Sequence, residues 1–150
     1  MNGQMLPVGS LYQDRLRDES RLCGSAATIS FPAGQEEVQR QMEWLAAQKI
    51  PVTVQGARTG ICGAAVHRGG HILDLGKLDR VLGLRGDSET GLVLEVQPGV
   101  SLSTIREGLS RGAFPGDGWD ETSRETAKAL RSGPVKWRLA PAPTEETATI

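Results

Sequence analysis

The hydrophobic positions change period twice in the first half of the chain. SAATISF (25–31) carries small and β-branched residues and closes on Phe31-Pro32, the pattern of a strand. Val38, Met42, Leu45 and Ala46 then recur at helical spacing. Gly34 stands at the N-cap of this segment, Gln35, Glu36 and Glu37 fill its first turn, where acidic groups suit the helix dipole, and Lys49 sits in its last turn. Ile50-Pro51 ends the helix, because the residue before proline is pushed out of the helical region. PVTV returns to an extended run, so residues 25–56 predict a β-α-β unit with parallel strands, 52–55 lying beside 26–31. HILDL (71–75) reads as a third strand, LDRVLGLRG holds a fourth and GLVLEVQPG (91–99) a fifth, with Asp87 to Gly91 as the turn between the last two.

The rest of the chain is less regular. SLSTIREGLSRG predicts a helix capped by Ser101 or Ser103, apolar along Leu102, Ile105 and Leu109, and stopped at Gly112. WDETSRETAKAL suits a short exposed helix, and the proline-rich LAPAPTEETATI suits an extended segment. Residues 1–24 are polar, with a short helix anchored loosely on Leu11, Leu16 and Leu22. The expected fold class is α+β, a β-α-β unit followed by a mixed sheet, with a boundary between an N-terminal segment (1–24) and a domain over 25–150. Val38, Met42, Leu45, Val52, Val54, Ile72, Leu73, Leu75, Val93, Leu94 and Val96 are the expected core.

Composition narrows the function classes. Seventeen basic against 18 acidic side chains leave a net charge of -1, and aromatics make up only 4%, which argues against a nucleic-acid surface. Cys23 and Cys62 are too few for a disulfide framework or a metal knuckle and read as buried or idle thiols. His71 heads a strand without an acidic neighbour, so no metal site is expected, and His67 reads as a solvated turn residue. Trp44, Trp119 and Trp137 read as packing groups. No apolar run reaches the roughly 20 residues of a membrane span and no export signal opens the chain, which makes a cytoplasmic protein the expectation.

The stretch that departs from ordinary packing is VQGARTGICGAA (54–65), three glycines and three alanines around Arg58 and Thr59. It comes after a predicted parallel strand, at its carboxyl end, where open α/β sheets place ligands. Small residues there let backbone N–H groups face a phosphate or pyrophosphate, with a hydroxyl from Thr59 and a charge from Arg58. Neither a P-loop lysine nor a G-x-G-x-x-G pattern is present. Spacing alone leaves two readings open, an anion cradle or a tight irregular crossover.

VTVQGARTGICGAAVHRGGHILDLGKLDRVLGL resembles the pyrophosphate-binding segment of FAD-linked oxidases of the vanillyl-alcohol oxidase and p-cresol methylhydroxylase type. The matching pieces are the strand Val52–Gln55, the loop Gly56–Gly60, Gly63, the Gly69-Gly70 pair, the strand Ile72–Leu75 and the leucine-rich Leu78–Leu84. LEVQPGVSLSTIREGL is similar to the family's next strand, turn and helix, and LAPAPTEETATI to its second cofactor segment. The nearest branch is that of glycolate oxidase and D-lactate dehydrogenase.

The resemblance implies that Gly56, Ala57, Arg58, Thr59 and Gly60 cradle the pyrophosphate of FAD, and that Gly63 allows close approach beside the adenosine. It implies that Thr147, Ala148, Thr149 and Ile150 belong to the second cofactor strand. Arg58 stands where many relatives have glycine and relatives with a histidyl-linked flavin have histidine, so a non-covalent FAD is expected. There the Arg58 side chain would reach a phosphate or point to solvent. His67 replaces a common proline and Ala142 a common aspartate.

The family continues past ATI with Gly-Gly and a substrate-capping domain. The chain therefore reads as the N-terminal part of the cofactor domain, incomplete at its C-terminus, and no catalytic residue is named. The implied activity is oxidation of a small 2-hydroxy acid by the complete flavoenzyme, with the isolated chain inactive. The alternative is a non-catalytic remnant that binds a nucleotide or a partner. Self-association through an open sheet edge and an electron-transfer partner subunit are both compatible with these readings. The cradle reading also implies backbone geometry at Gly56 or Gly60 that a side chain tolerates poorly.

Overall fold

A computed structural model describes residues 4–87, 91–111, 113–114 and 118–132. The chain divides into two compact units, residues 1–78 and 79–150. The first contains β1 (Leu6–Pro7), a 3₁₀ helix (Ser10–Leu16), β2 (Thr28–Ser30), α1 (Gln35–Ala47), β3 (Val52–Gln55) and β4 (His71–Asp74). The second contains β5 (Val81–Asp87), β6 (Gly91–Val96), α2 (Leu102–Arg111) and α3 (Glu121–Ser132).

The first sheet has the order β1-β2-β4-β3. β2 and β3 each pair in parallel with β4, which places Thr28 and Val52 on either side of His71. The predicted β-α-β unit is present, but its two strands are not neighbours: β4 lies between them. HILD is buried at all four positions, and as the central strand it displaces the expected direct pairing of β2 with β3. β1 closes the other edge antiparallel, and Gly70, at φ +84 with its Cα against the Pro51 carbonyl, brings the chain into β4 where a Cβ would come within 2.3 Å of that oxygen.

α1 forms where its spacing places it, yet it buries a different face. Gln41 and Leu45 are its buried residues, whereas Met42 and Trp44 are exposed. Gly34 has no side chain to cap with, and Glu37 reaches back to accept the Ala33 N–H at 2.9 Å instead. At the other end Lys49 lies beyond the helix at φ +55. Its N–H reaches Ala46 O and that of Ile50 reaches Leu45 O, both at 2.9 Å, which is a Schellman motif with lysine in the left-handed position.

Gln41 is buried because it ends a polar chain running through the sheet. Its Nε2 faces Glu37 Oε1 at 3.4 Å, so its Oε1 accepts the Ser30 hydroxyl at 2.6 Å. With that proton committed, Ser30 Oγ accepts from His71 Nε2 at 2.8 Å, and Thr28 Oγ1 donates to the bare Nδ1 at 2.8 Å. Burial first, and the neighbouring His67 second, push the His71 pKa down to about 4. His67 is buried as well, contrary to its reading as a solvated turn residue. Its Nε2 donates to the His71 carbonyl at 2.6 Å, while Nδ1 accepts from Thr53 Oγ1 at 2.9 Å and Arg68 N–H at 3.0 Å. The predicted N-terminal helix is a 3₁₀ helix, and Leu11 and Leu22 are exposed rather than anchoring it.

In the second unit β5 and β6 form the predicted hairpin, antiparallel and bulged between Val81 and Gly83. Val81, Leu84, Val100, Ile105, Phe114, Trp119 and Ala127 make its core. Ser101 caps α2 by accepting the Thr104 N–H at 3.1 Å. α3 is not a wholly exposed helix: Ser123 and Ala127 are buried, and the Ser123 hydroxyl accepts the Leu84 N–H at 3.2 Å. Trp119 packs as expected, its indole N–H on Val81 O at 2.9 Å. Of the expected core, Leu45, Ile72 and Leu73 are fully buried, while Met42, Val54 and Val93 are exposed. Gly112, Trp137 and residues 139–150 lie outside the described residues.

Candidate functional site

The carboxyl ends of β3 and β4 meet side by side, Gln55 opposite Asp74. Gln55 is buried, and its Nε2 donates to Arg15 O at 2.8 Å and Ala65 O at 2.7 Å. It therefore ties the 3₁₀ helix to the far end of the loop after β3. Asp74, 2% exposed, accepts the Gly76 N–H at 2.9 Å on Oδ1 and takes the guanidinium of Arg15 on Oδ2. Arg58 Nη1 lies 3.8 Å from the same oxygen, and its Nη2 lies 3.5 Å from Asp14 Oδ2. Two arginines and two aspartates thus brace the base of the loop.

The loop itself is the small-residue stretch. Arg58 has φ +60, the left-handed conformation in which a glycine would be expected, and its carbonyl accepts the Glu19 N–H at 3.3 Å. The Arg58 side chain is only 19% exposed and is ion-paired, so it points neither to solvent nor away from the protein. Burial, then the nearby Arg15, lower its pKa against the pull of Asp14 and Asp74.

Gly63 is also left-handed, at φ +73, and a Cβ there would come within 2.8 Å of Leu22 Cδ1. Gly60 is different: it lies outside the left-handed region and a Cβ would meet nothing within 4 Å. The demanding backbone falls at Arg58 and Gly63, not at Gly60.

From Thr59 to Cys62 the loop leaves its donors unengaged by the described protein. None of the described residues accepts a hydrogen bond from the amides of Thr59, Gly60, Ile61 or Cys62, or from the Thr59 hydroxyl. Gly60, Ile61 and Cys62 are exposed. A run of unengaged N–H groups fits a phosphate-rich group. Two buried acceptors beside the loop, Gln55 Oε1 and Asp18 Oδ2, meet no hydrogen-bond donor within bonding geometry among the described residues, and they suit a hydroxyl or a water rather than a phosphate. Asp18 is held below the usual carboxylate range, chiefly by the Ser20 hydroxyl.

Sequence reading identified Gly56, Ala57, Arg58, Thr59, Gly60 and Gly63, which the structure brings together in this loop; Thr147, Ala148, Thr149 and Ile150 lie outside the described residues. It missed Arg15, Asp18, Gln55 and Asp74. A polar residue ending a buried central strand must find a partner, and that signal could have singled out Asp74. Cys23 and Cys62 are free and exposed, not buried. No group of His, Cys, Asp and Glu able to hold a metal ion occurs among the described residues.

The profile of a family described as FAD binding domain matches residues 26–123. The chain belongs to this FAD-binding domain family. It is 34% identical over 122 residues to D-lactate dehydrogenase of Anaerostipes hadrus, covering 76% of this chain and 25% of that protein. It is 36% identical over 78 residues to D-2-hydroxyglutarate dehydrogenase of Xanthomonas citri pv. viticola, covering 51% of this chain and 16% of that one.

Among solved structures, chitooligosaccharide oxidase superposes with a TM-score of 0.58 at 19% identity, over 71% of this chain and 23% of the oxidase. 6-Hydroxy-D-nicotine oxidase from Arthrobacter nicotinovorans superposes at 0.57 and 15% identity, over 73% and 24%. These likenesses establish the fold, and the expected α+β class of FAD-linked oxidases stands. The chain spans about a quarter of the length of the first of these relatives. Among the described residues, no helix is long and apolar enough to cross a membrane.

Proposed function

We propose that this chain supplies the pyrophosphate-binding part of the FAD site of an oxidoreductase that, when complete, oxidises a 2-hydroxy acid of the D-lactate or glycolate type. The observation that carries the proposal is the run of unengaged amides from Thr59 to Cys62, at the carboxyl end of β3 and inside the segment that matches the family. Gly56 to Gly60 would surround the two phosphates, Thr59 would add its hydroxyl, and Gly63 would leave room beside the adenosine. Thr147 to Ile150 would contribute the start of a second cofactor strand. When bound, FAD supplies the two-electron acceptor that the protein itself lacks.

The substrate class is drawn from the relatives named D-lactate dehydrogenase and D-2-hydroxyglutarate dehydrogenase. Non-covalent attachment is supported by the histidines. The chain has two, and both ring nitrogens of each are engaged inside the protein, leaving neither ring for a histidyl–flavin bond.

Titrating the 150-residue chain with FAD, followed by flavin fluorescence or calorimetry, tests the extent of the site. A ligand of this size needs about 70% or more of its surface buried for tight binding. The loop and the proposed start of a second cofactor segment would leave the isoalloxazine open, so the expected Kd lies above roughly 10 μM, with no turnover of hydroxy acids. A sub-micromolar Kd without turnover would favour the alternative of a self-sufficient nucleotide-binding module.

A further inference from the structure

We propose that Asp74 is a positioning residue for the cofactor loop, acting through the guanidinium of Arg58 to hold that residue's backbone in its left-handed conformation. The proposal rests on the flavin reading of the loop given above. Arg58 occupies φ +60, a region that side-chain-bearing residues avoid, and neither glycine nor asparagine is there to relieve it. Something must hold the residue in place, and its side chain shows what does. The guanidinium is drawn back towards β4, 19% exposed, with Asp74 Oδ2 at 3.8 Å and Asp14 Oδ2 at 3.5 Å.

The two aspartates are not equivalent. Asp14 is 54% exposed, so solvent screens its attraction. The Asp74 side chain is 3% exposed, sits at the end of the central strand, and has its other oxygen fixed by Gly76 N–H at 2.9 Å. It is a desolvated anchor, and the guanidinium of Arg15, hydrogen-bonded to the same Oδ2, holds that oxygen in place beside Arg58.

The anchor matters because of its place in the chain. Thr59, the residue after Arg58, begins the run of amides that meet no acceptor in the described protein. A change in the torsions of Arg58 swings the Thr59 N–H and displaces every donor after it. Asp74 need not touch the cofactor to decide whether the cradle is preformed.

Hydrogen exchange of the loop 56–65 in the chain without FAD, alongside FAD affinity, tests this. Asp74→Asn should raise loop exchange about tenfold and weaken FAD by a similar factor, while exchange in β2 and α1 stays as in the parent. Arg58→Gly tolerates the conformation without an anchor, so adding Asp74→Asn to it should change loop exchange little further. An equal increase in that background overturns the proposal, as does unchanged loop exchange in the folded single variant. Should Asp74→Asn fail to fold, Arg58→Met leaves the Asp74–Arg15 pair intact and must show the same loop exchange; normal exchange there overturns the proposal too. The exchange arm decides positioning with no flavin present. Loosened loop exchange in Asp74→Asn with FAD affinity equal to the parent's would support positioning and count against the flavin reading alone.

Discussion

His71 Nε2 stands 2.8 Å from Ser30 Oγ, and Gln41 decides which of them donates. Because Gln41 Oε1 takes the serine proton, the ring must give its own, and the neutral Nε2–H tautomer is the one that satisfies every partner. The ring is fully buried. On β4, with its ring hydrogen-bonded to Thr28 and Ser30 of β2, it is a structural link in the sheet rather than a group free to exchange protons with a ligand.

The stability of the chain should therefore fall with acid. His71 has a folded pKa of about 4 against an ordinary 6.5, so the unfolded state binds the proton more readily between those values. The contribution is fully present above about pH 6.5, declines as pH falls, and is lost by about pH 4. The window is worth about 3 kcal/mol by the linkage relation, an order-of-magnitude figure. Urea denaturation from pH 7.5 to 4 checks it, with His71→Asn as the control. A pH dependence identical in the variant would rule out His71 as the source.

Gln41→Met should change the tautomer. Without an acceptor at Oε1, Ser30 is free to donate to His71, which then carries its proton on Nδ1 and donates to Thr28. Ring nitrogen shifts in ¹⁵N-labelled protein distinguish the two forms directly. The substitution exchanges an internal hydrogen bond for apolar packing, and a cost of about 1–2 kcal/mol is expected. Retention of the Nε2–H form would show that something other than Gln41 sets the direction of the chain.

The same residues explain which elements could be read from the sequence and which could not. The helix over 35–47 and the strands at 52–55 and 71–74 are local patterns, and they form where their periodicity places them. The order of strands is a tertiary fact. HILD lies at the centre, and the burial of its polar ends, His71 and Asp74, depends on partners from elsewhere in the fold, which chain order does not show.

The buried face of α1 departs from its apolar pattern for a related reason. Gln41 lies at helical spacing from Leu45 but is polar, and the Ser30 hydroxyl, with the His71 ring beyond it, and Glu37 make its burial tolerable. The loop was legible as a loop, from its glycines. Its bracing was not, because Arg15, Arg58 and Asp74 are distant in sequence and meet only once β3 and β4 are paired.

Lys49→Gly should stabilise the first unit. Lys49 holds φ +55 at the end of α1, its side chain is exposed, and among the described residues it has no ion-pair partner to lose. Glycine adopts that conformation without the steric penalty, against which stands its greater freedom in the unfolded chain. A net gain of roughly 0.5–1 kcal/mol is expected at such a C′ position. Thermal denaturation measures it, and a lower Tm in the variant would show that the lysine stem packs on the helix end in a way that offsets the strain.

Gly60 and Gly63 lie three positions apart in the same loop and should respond differently to valine. At Gly60 a side chain meets no protein atom within 4 Å and the backbone is not left-handed, so Gly60→Val should fold with a stability change within about 0.5 kcal/mol. At Gly63 a β-branched residue must hold φ +73 and displace Leu22, so Gly63→Val should lose about 1–3 kcal/mol whether or not a ligand is present. FAD retention separates packing from recognition. If the amides after Thr59 receive the pyrophosphate, valine at Gly60 blocks the approach of the phosphates, and the otherwise stable variant should be purified from the flavin-binding protein essentially free of flavin. Both variants would be measured by urea denaturation and by flavin absorbance per protein. A Gly60→Val protein that is stable and keeps its full flavin content would move the pyrophosphate away from this loop, and with it the role proposed for Gly56 to Gly60.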